Sequence, residues 1–209
     1  MKDAPGLQDT EEMGDSQRRI VEAAVATFVE HGYHGSATSE IARRAGVAEG
    51  TIFRYYRTKQ ALLLGVVAPL LIRAITPLMR QRLERVMSVE YVSARAFVRA
   101  LAAERLEFVR AHPDVLRLVV QEIPFHPELR LRFHAVFVST FQPLLFAALD
   151  RMRARKLIGS IETPRAARLI VSSIIGFVLV RVLLEPGAVW DDEAELDAIA
   201  DVVGGGLAP

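Results

Sequence analysis

"IARRAGVAEGTIF", residues 41–53, decides the fold. Within it Ala42, Gly46 and Ile52 stand four and then six residues apart. Two helices that cross steeply through a short turn need a small side chain where their backbones approach. They also need a residue tolerant of positive φ in the turn, and an apolar residue that pins the second helix. Ala42, Gly46 and Ile52 meet these needs in order, with Tyr56 one turn beyond Ile52 on the same side. The spacing predicts helices over 38–45 and 49–56 separated by Gly46 and Val47, a helix-turn-helix pattern.

With Ile52 and Tyr56 facing inward, the other faces of the second helix carry Glu49, Gly50, Thr51, Phe53, Arg54 and Tyr55. Rings beside an arginine are an odd choice for a merely solvated surface. They suit the major groove of a duplex, where arginine reads guanine and ring or methyl surfaces meet thymine methyls. Between Ser36 and Lys59 the cations Arg43, Arg44, Arg54, Arg57 and Lys59 outnumber Glu40 and Glu49 by three, while the whole chain is only +1. A local patch, rather than overall charge, argues for a polyanionic partner. Lys59, the Thr38 hydroxyl and backbone N–H groups at a helix start make a phosphate clamp that positions without reading sequence.

The stretch "HGYHGSATSEIARRAGVAEGTIFRYYRTKQALL", and residues 16–63 as a whole, resemble the DNA-binding domain of the tetracycline-repressor (TetR) family. Gly-aromatic, Ile-Ala, Ala-Gly-Val, Gly-Thr-Ile, aromatic-x-x-aromatic and Thr-Lys follow one another without a gap. The resemblance implies that Thr38, Ser39, Thr51, Phe53, Arg54, Tyr55 and Lys59 touch DNA. Ala37 stands where a capping threonine or serine is usual, which passes the cap to Ser36 or Thr38. Phe53 replaces a usual tyrosine and loses a hydroxyl contact worth about 1 kcal/mol, and Gln60 replaces a frequent acid.

The rest of the chain has helical period and no alternating strand pattern, so the fold class expected is all-α. A first helix fits 16–30, with Asp15 or Ser16 as N-cap and Gly32 as its stop. Longer ones fit 59–86, 89–111, 113–122, 127–156, 164–184 and 192–203, and GGG at 204–206 reads as a fraying end. This divides the 209 residues into a disordered tail at 1–14, a helix-turn-helix domain at 15–57 and a helical effector-binding and dimerisation domain at 58–209. The tail has no signal-peptide pattern, which points to the cytoplasm. The chain has no cysteine, so a disulfide framework, a thiolate metal site and a cysteine nucleophile are all excluded. Leu169 to Leu184 is apolar apart from Ser172, Ser173, Gly176 and Arg181. It falls short of the roughly 20 residues a membrane span needs, and reads as a helix buried on nearly all sides, with no membrane partner.

Phe133, Phe137 and Phe141 recur every four residues, and an earlier segment adds Phe97, Leu101 and Phe108. These six, with Gln121, are the candidate effector-binding residues by resemblance to the family's central helices; packed core is the alternative reading of the same stripe. Residues 164–184 and 192–203 offer more apolar surface than one subunit easily buries. By the same resemblance they pair with a second copy across a twofold axis, giving a homodimer that meets a roughly palindromic double-stranded operator. His112 and His126 lack metal-ligand spacing with a third partner, no nucleophile-base set stands out, and no cofactor or metal is expected. The function read from the chain is a ligand-responsive transcriptional regulator, a repressor released by a small apolar effector. The alternatives are an activator on the same fold, or a helical small-molecule binding protein or enzyme whose N-terminal helices are only structural.

Overall fold

The computed structural model describes residues 14–113, 120 and 123–209, apart from the Leu71 side chain. The tail at 1–13, most of the helix expected at 113–122, and Gln121 lie outside the described residues. Among the described residues every regular element is helical.

Helix α1 (Asp15–Gly35) buries Ile20, Ala24 and Phe28, one every four residues. Its N-cap is Gly14, not Asp15 or Ser16; Asp15 sits inside the first turn, where its charge opposes the helix dipole favourably, and pairs with Arg18 at 2.7 Å. Gly32 breaks the helical path (φ 69, ψ 169) as its composition predicts, yet a last turn continues to Gly35. Helices α2 (Thr38–Ala45) and α3 (Glu49–Tyr55) follow. Then comes α4 (Lys59–Met87), started by Thr58, whose Oγ1 accepts from the Ala61 N–H at 2.9 Å. It widens into a π turn at Leu63–Val67.

Helix α5 (Ala94–Ala111) is capped by Ser93, and α6 (Pro127–Ala154) carries a second π turn at Phe137–Phe141 just before Pro143, which has no N–H to donate. Helix α7 (Thr163–Leu184) precedes α8 (Asp192–Ile199), which Asp191 caps and which runs on through Ala200–Gly204 and Gly205–Leu207.

The chain divides into two compact units. One holds the described residues up to Ile75 and those between 114 and 133; the other holds Thr76–Pro113 and His134–Pro209. The first is centred on Ile20, Phe28, Ile41, Ile52, Leu62 and Leu63, all essentially inaccessible to solvent. In the second, Phe97, Val98 and Leu101 of α5 are buried with Leu149 of α6, Ile170 and Ile174 of α7, and Leu196 of α8.

Three expectations change here. GGG does not fray: Gly204 is buried where α8 meets α5, and a Cβ on it would stand 2.5 Å from the Arg95 Cα. The chain end is held further by Leu207, 2% exposed, whose carbonyl accepts from the Gly159 N–H at 2.8 Å. Arg95 and Arg99 of α5 both reach Asp197 of α8, at 3.0 and 2.9 Å. Next, Arg181 is no interruption in an otherwise sealed helix, because its Nε donates to Asp192 Oδ1 at 3.0 Å and its guanidinium lies over the Trp190 ring.

The third change concerns α7 as a whole. It is not buried on nearly all sides: Ala166, Ile170, Ile174 and Val178 face the interior, while Leu169 and Ile175 are 53% and 58% exposed. Only 28% of its most apolar stretch is buried by its own chain. The expectation that this run falls short of a membrane span also changes: by length and composition alone, α4, α6 and α7 are each long and apolar enough to cross a membrane.

Candidate nucleic-acid interface

The turn between α2 and α3 is built on Gly46, whose αL backbone (φ 63, ψ 40) lets its own N–H and that of Val47 return to the Arg43 and Ala42 carbonyls at 3.2 and 3.0 Å. Ala42 and Ala45 are buried at this crossing, and Ile52, fully buried, holds α3 down. Tyr56 is also buried. It sits just past the helix, in extended backbone, and its hydroxyl accepts from Gln17 Nε2 at 3.2 Å. Burial pushes the Tyr56 hydroxyl's pKa upward, opposed by the Gln17 hydrogen bond.

Held this way, α3 turns Phe53, Arg54 and Tyr55 to solvent, the two rings 43% and 39% exposed. The Arg54 guanidinium lies 5.2 Å from the Tyr55 ring centre, so cation and ring form one raised surface. Glu49 and Gly50 are exposed and Thr51 is half-buried. Of the α2 candidates Ser39 is exposed, whereas the Thr38 hydroxyl donates to Glu49 Oε1 at 2.5 Å, tying the first turns of α2 and α3 together.

Neither Ser36 nor Thr38 takes over the cap that Ala37 lacks. Ala37 is itself the N-cap residue, without a side-chain bond, and Ser36 is buried with its hydroxyl against the α1 carbonyls of Thr27 and Gly32, at 3.0 and 2.6 Å.

The positive patch is less uniform than its residue count. Glu40 accepts from Arg43 and Arg44, and Arg44 also reaches Glu30 of α1 at 2.6 Å. Those hydrogen bonds, from Arg43 first and then Arg44, hold the Glu40 carboxyl down to about 2. The exposed cations closest in sequence to the α3 rings are therefore Arg54 and Arg57.

Lys59 is set by a contact the sequence reading missed. Its ammonium lies 4.4 Å from the Tyr33 ring centre, and Tyr33 packs edge-on against His126 at 5.5 Å. Gln60 Nε2 stands 3.3 Å from His126 Nδ1, so Gln60 has a local partner at the position where it departs from the family pattern. His126, whose spacing does not suit a metal site, is buried and helps pack the start of α4. A single sequence carries no signal for that pairing, because its members lie 33, 59, 60 and 126 along the chain.

Residues 20–66 match the family described as bacterial regulatory proteins, tetR family. Over that stretch the chain is similar to the TetR family. A fatty acid metabolism regulator protein of Bacillus subtilis is 46% identical over 48 residues, a match spanning 23% of this chain and 25% of that protein. Two solved structures share the fold over nearly the whole length. The FadR transcriptional regulator of Bacillus subtilis, in complex with stearoyl-CoA, has a TM-score of 0.64 at 23% identity, over 90% of this chain and 98% of that one. AibR, in complex with isovaleryl coenzyme A and operator DNA, has a TM-score of 0.63 at 17% identity, over 91% and 98%. The curated name is that of a regulator, and the enzyme alternative has no support among these proteins.

Beyond that stretch, the effector candidates separate into two groups. Phe97, Leu101, Phe108 and Phe141 are buried, whereas Phe137 is half-buried and Phe133 is 36% exposed. The stripe on α6 is thus continuous in sequence and divided in burial. A cavity of about 40 Å³ lined by Met87, Tyr91, Phe97, Met152 and Arg151 touches one of the seven candidates. It has room for about one water, against the several hundred Å³ of an effector pocket. Among the described residues no cluster of His, Asp or Glu is placed to hold a metal.

Proposed function

We infer that the protein is a ligand-responsive transcriptional regulator, a repressor whose two copies grip a roughly palindromic operator and release it when an acyl-chain effector binds. One observation carries the reading: Ile52 and Tyr56 are buried while Phe53, Arg54 and Tyr55 between them are turned outward, in a TetR-family domain. A helix that only supported the fold would have no reason to raise two rings and an arginine into water.

The effector class rests on the relatives. FadR was solved with stearoyl-CoA and AibR with isovaleryl coenzyme A, and the Phe97, Leu101 and Phe108 stripe of α5 offers apolar lining for a similar tail. The dimer rests on α7, whose charge-free outer stripe of Leu169, Ser172, Ile175 and Gly176 is left uncovered by its own chain. An effector lowers operator affinity only by binding more tightly to a state that grips DNA less well.

A gel shift against the DNA beside its own gene tests the reading. Retardation at about 10 nM protein is expected, with free duplex returning as stearoyl-CoA is added. No retardation of that or any selected duplex would end the regulator reading; retardation indifferent to acyl-CoA and fatty acid would end the effector assignment alone.

A further inference from the structure

On α5 the residues Phe97, Leu101, Arg105 and Phe108 follow at intervals of four, four and three, which places them on one helix face. Three are buried, and the fourth is an arginine that is only 17% exposed. A guanidinium in the middle of an apolar stripe costs free energy unless an anion and a full set of acceptors answer it.

Among the described residues the answer is incomplete. Arg105 Nε donates to Glu104 Oε2 at 2.5 Å, and the other oxygen of that carboxylate accepts from Arg82 Nε at 2.7 Å. Glu107 also pairs with Arg82, at 3.0 Å, but stands outside with its side chain 74% exposed. Glu104 is therefore shared between two guanidinium groups; Arg82 also has Glu107, while Arg105, the less exposed of the two, has no second carboxylate among the described residues. Both flank the Phe108 ring, with Arg105 at 4.8 Å and Arg82 at 5.9 Å from its centre, and His112 packs 5.0 Å from the same ring.

Among the described residues, Arg105 Nη2 is the one buried side-chain polar atom without a hydrogen-bond acceptor. It lies against Glu104 Oε2, but not in a direction that makes a hydrogen bond. Burial lowers the Arg105 pKa, opposed by Glu104, yet a guanidinium stays protonated at any physiological pH.

We propose that Arg105, supported by Arg82 beside the Phe108 ring, is the anchor for the anionic head, a carboxylate or a phosphate, of the apolar effector. This rests on the effector reading above and adds a requirement to it: an apolar tail alone does not satisfy the site. Guanidinium groups suit both head chemistries, because their planar fork meets carboxylate or phosphate oxygens two at a time. Glu104 competes with the ligand for the same donors. The signal was present in the sequence, where the charge interrupts a stripe of period four, but a search for apolar lining residues passes over it.

Three probes that share an eighteen-carbon chain make the test: stearate, stearoyl-CoA and neutral octadecanol, titrated calorimetrically into the full-length protein. The wild type binds at least one anionic probe about tenfold or more tighter than octadecanol. Arg105→Met removes that preference and leaves octadecanol binding within about twofold. A loss confined to stearate identifies a carboxylate site; a loss confined to stearoyl-CoA identifies a phosphate site. Glu104→Gln, which removes the competitor, strengthens anionic binding severalfold and provides an independent readout if Arg105→Met fails to fold. An unchanged anionic preference in Arg105→Met, or in Glu104→Gln where Arg105→Met does not fold, overturns the anchor and leaves the effector reading standing. A wild type that binds none of the three probes removes the effector reading, and the anchor with it.

Discussion

Helices α3 and α7 both expose large apolar side chains, and they do so in opposite company. On α3, Phe53 and Tyr55 flank Arg54, and the next exposed residue along the chain is Arg57. On α7, Leu169 and Ile175 share their face with Ser172 and Gly176, and no charge occurs from Leu169 to Val180. Rings mixed with cations fit a partner that offers both phosphates and base edges. A charge-free stripe broken only by small residues fits another apolar surface brought close, and a second copy of the same helix supplies one by symmetry. Exposed hydrophobicity therefore identifies a partner only together with the charge beside it.

The strongest way to break this comparison is to put a charge on the α7 stripe. Ile175→Asp should weaken self-association about a hundredfold or more, since two carboxylates would be desolvated at a twofold contact; sedimentation velocity would record a monomer while far-UV circular dichroism stays unchanged. A variant that sediments like the wild type would show that the stripe is not the contact.

On α3, Tyr55→Ala should cost about 1–3 kcal/mol on the selected operator and much less on random duplex. Equal losses on both would reduce Tyr55 to a non-specific contact. Lys59→Ala should weaken every duplex by a few fold and lower the magnitude of the salt slope by about one, the outcome expected if its ammonium, which lies over the Tyr33 ring, neutralises a phosphate without reading bases.

The smallest effect belongs to Glu40. Glu40→Gln removes the carboxylate that pairs with Arg43, while Glu30 still holds Arg44, and should raise binding to random duplex by about twofold, with a steeper salt slope. The Glu40 pKa is depressed from 4.5 to about 2. A depressed carboxyl adds stability in full above its unfolded value, and that contribution fades as pH falls through its folded value. Thermal melts of wild type and Glu40→Gln should therefore differ by a constant amount above about pH 4.5 and converge as the pH nears about 2.

The helix-turn-helix was legible because each of its needs selects a residue type: a small residue at Ala42, a left-handed one at Gly46, an apolar anchor at Ile52. Local spacing decides all three. What stayed hidden depends on residues far apart in the chain. Ser36 looks like a helix cap until the α1 carbonyls take its hydroxyl, and Arg44 looks like a free cation until Glu30 reaches it from another helix. Gly204 reads as slack because nothing beside it in sequence announces the α5 backbone against which it packs. The phenylalanine period in α6 was plain, but period alone does not say which rings are covered: Phe141 is buried and Phe133 is not.

The central claim is that α3 reads a duplex with the side chains it turns outward. Selection of bound duplexes from a random pool by the full-length protein measures this most directly. The wild type is predicted to enrich a roughly palindromic sequence, and the triple variant Phe53→Ala, Arg54→Ala, Tyr55→Ala to lose that enrichment while keeping its fold and weak salt-dependent binding. Enrichment of the same sequence by the triple variant, or of none by the wild type, would contradict it.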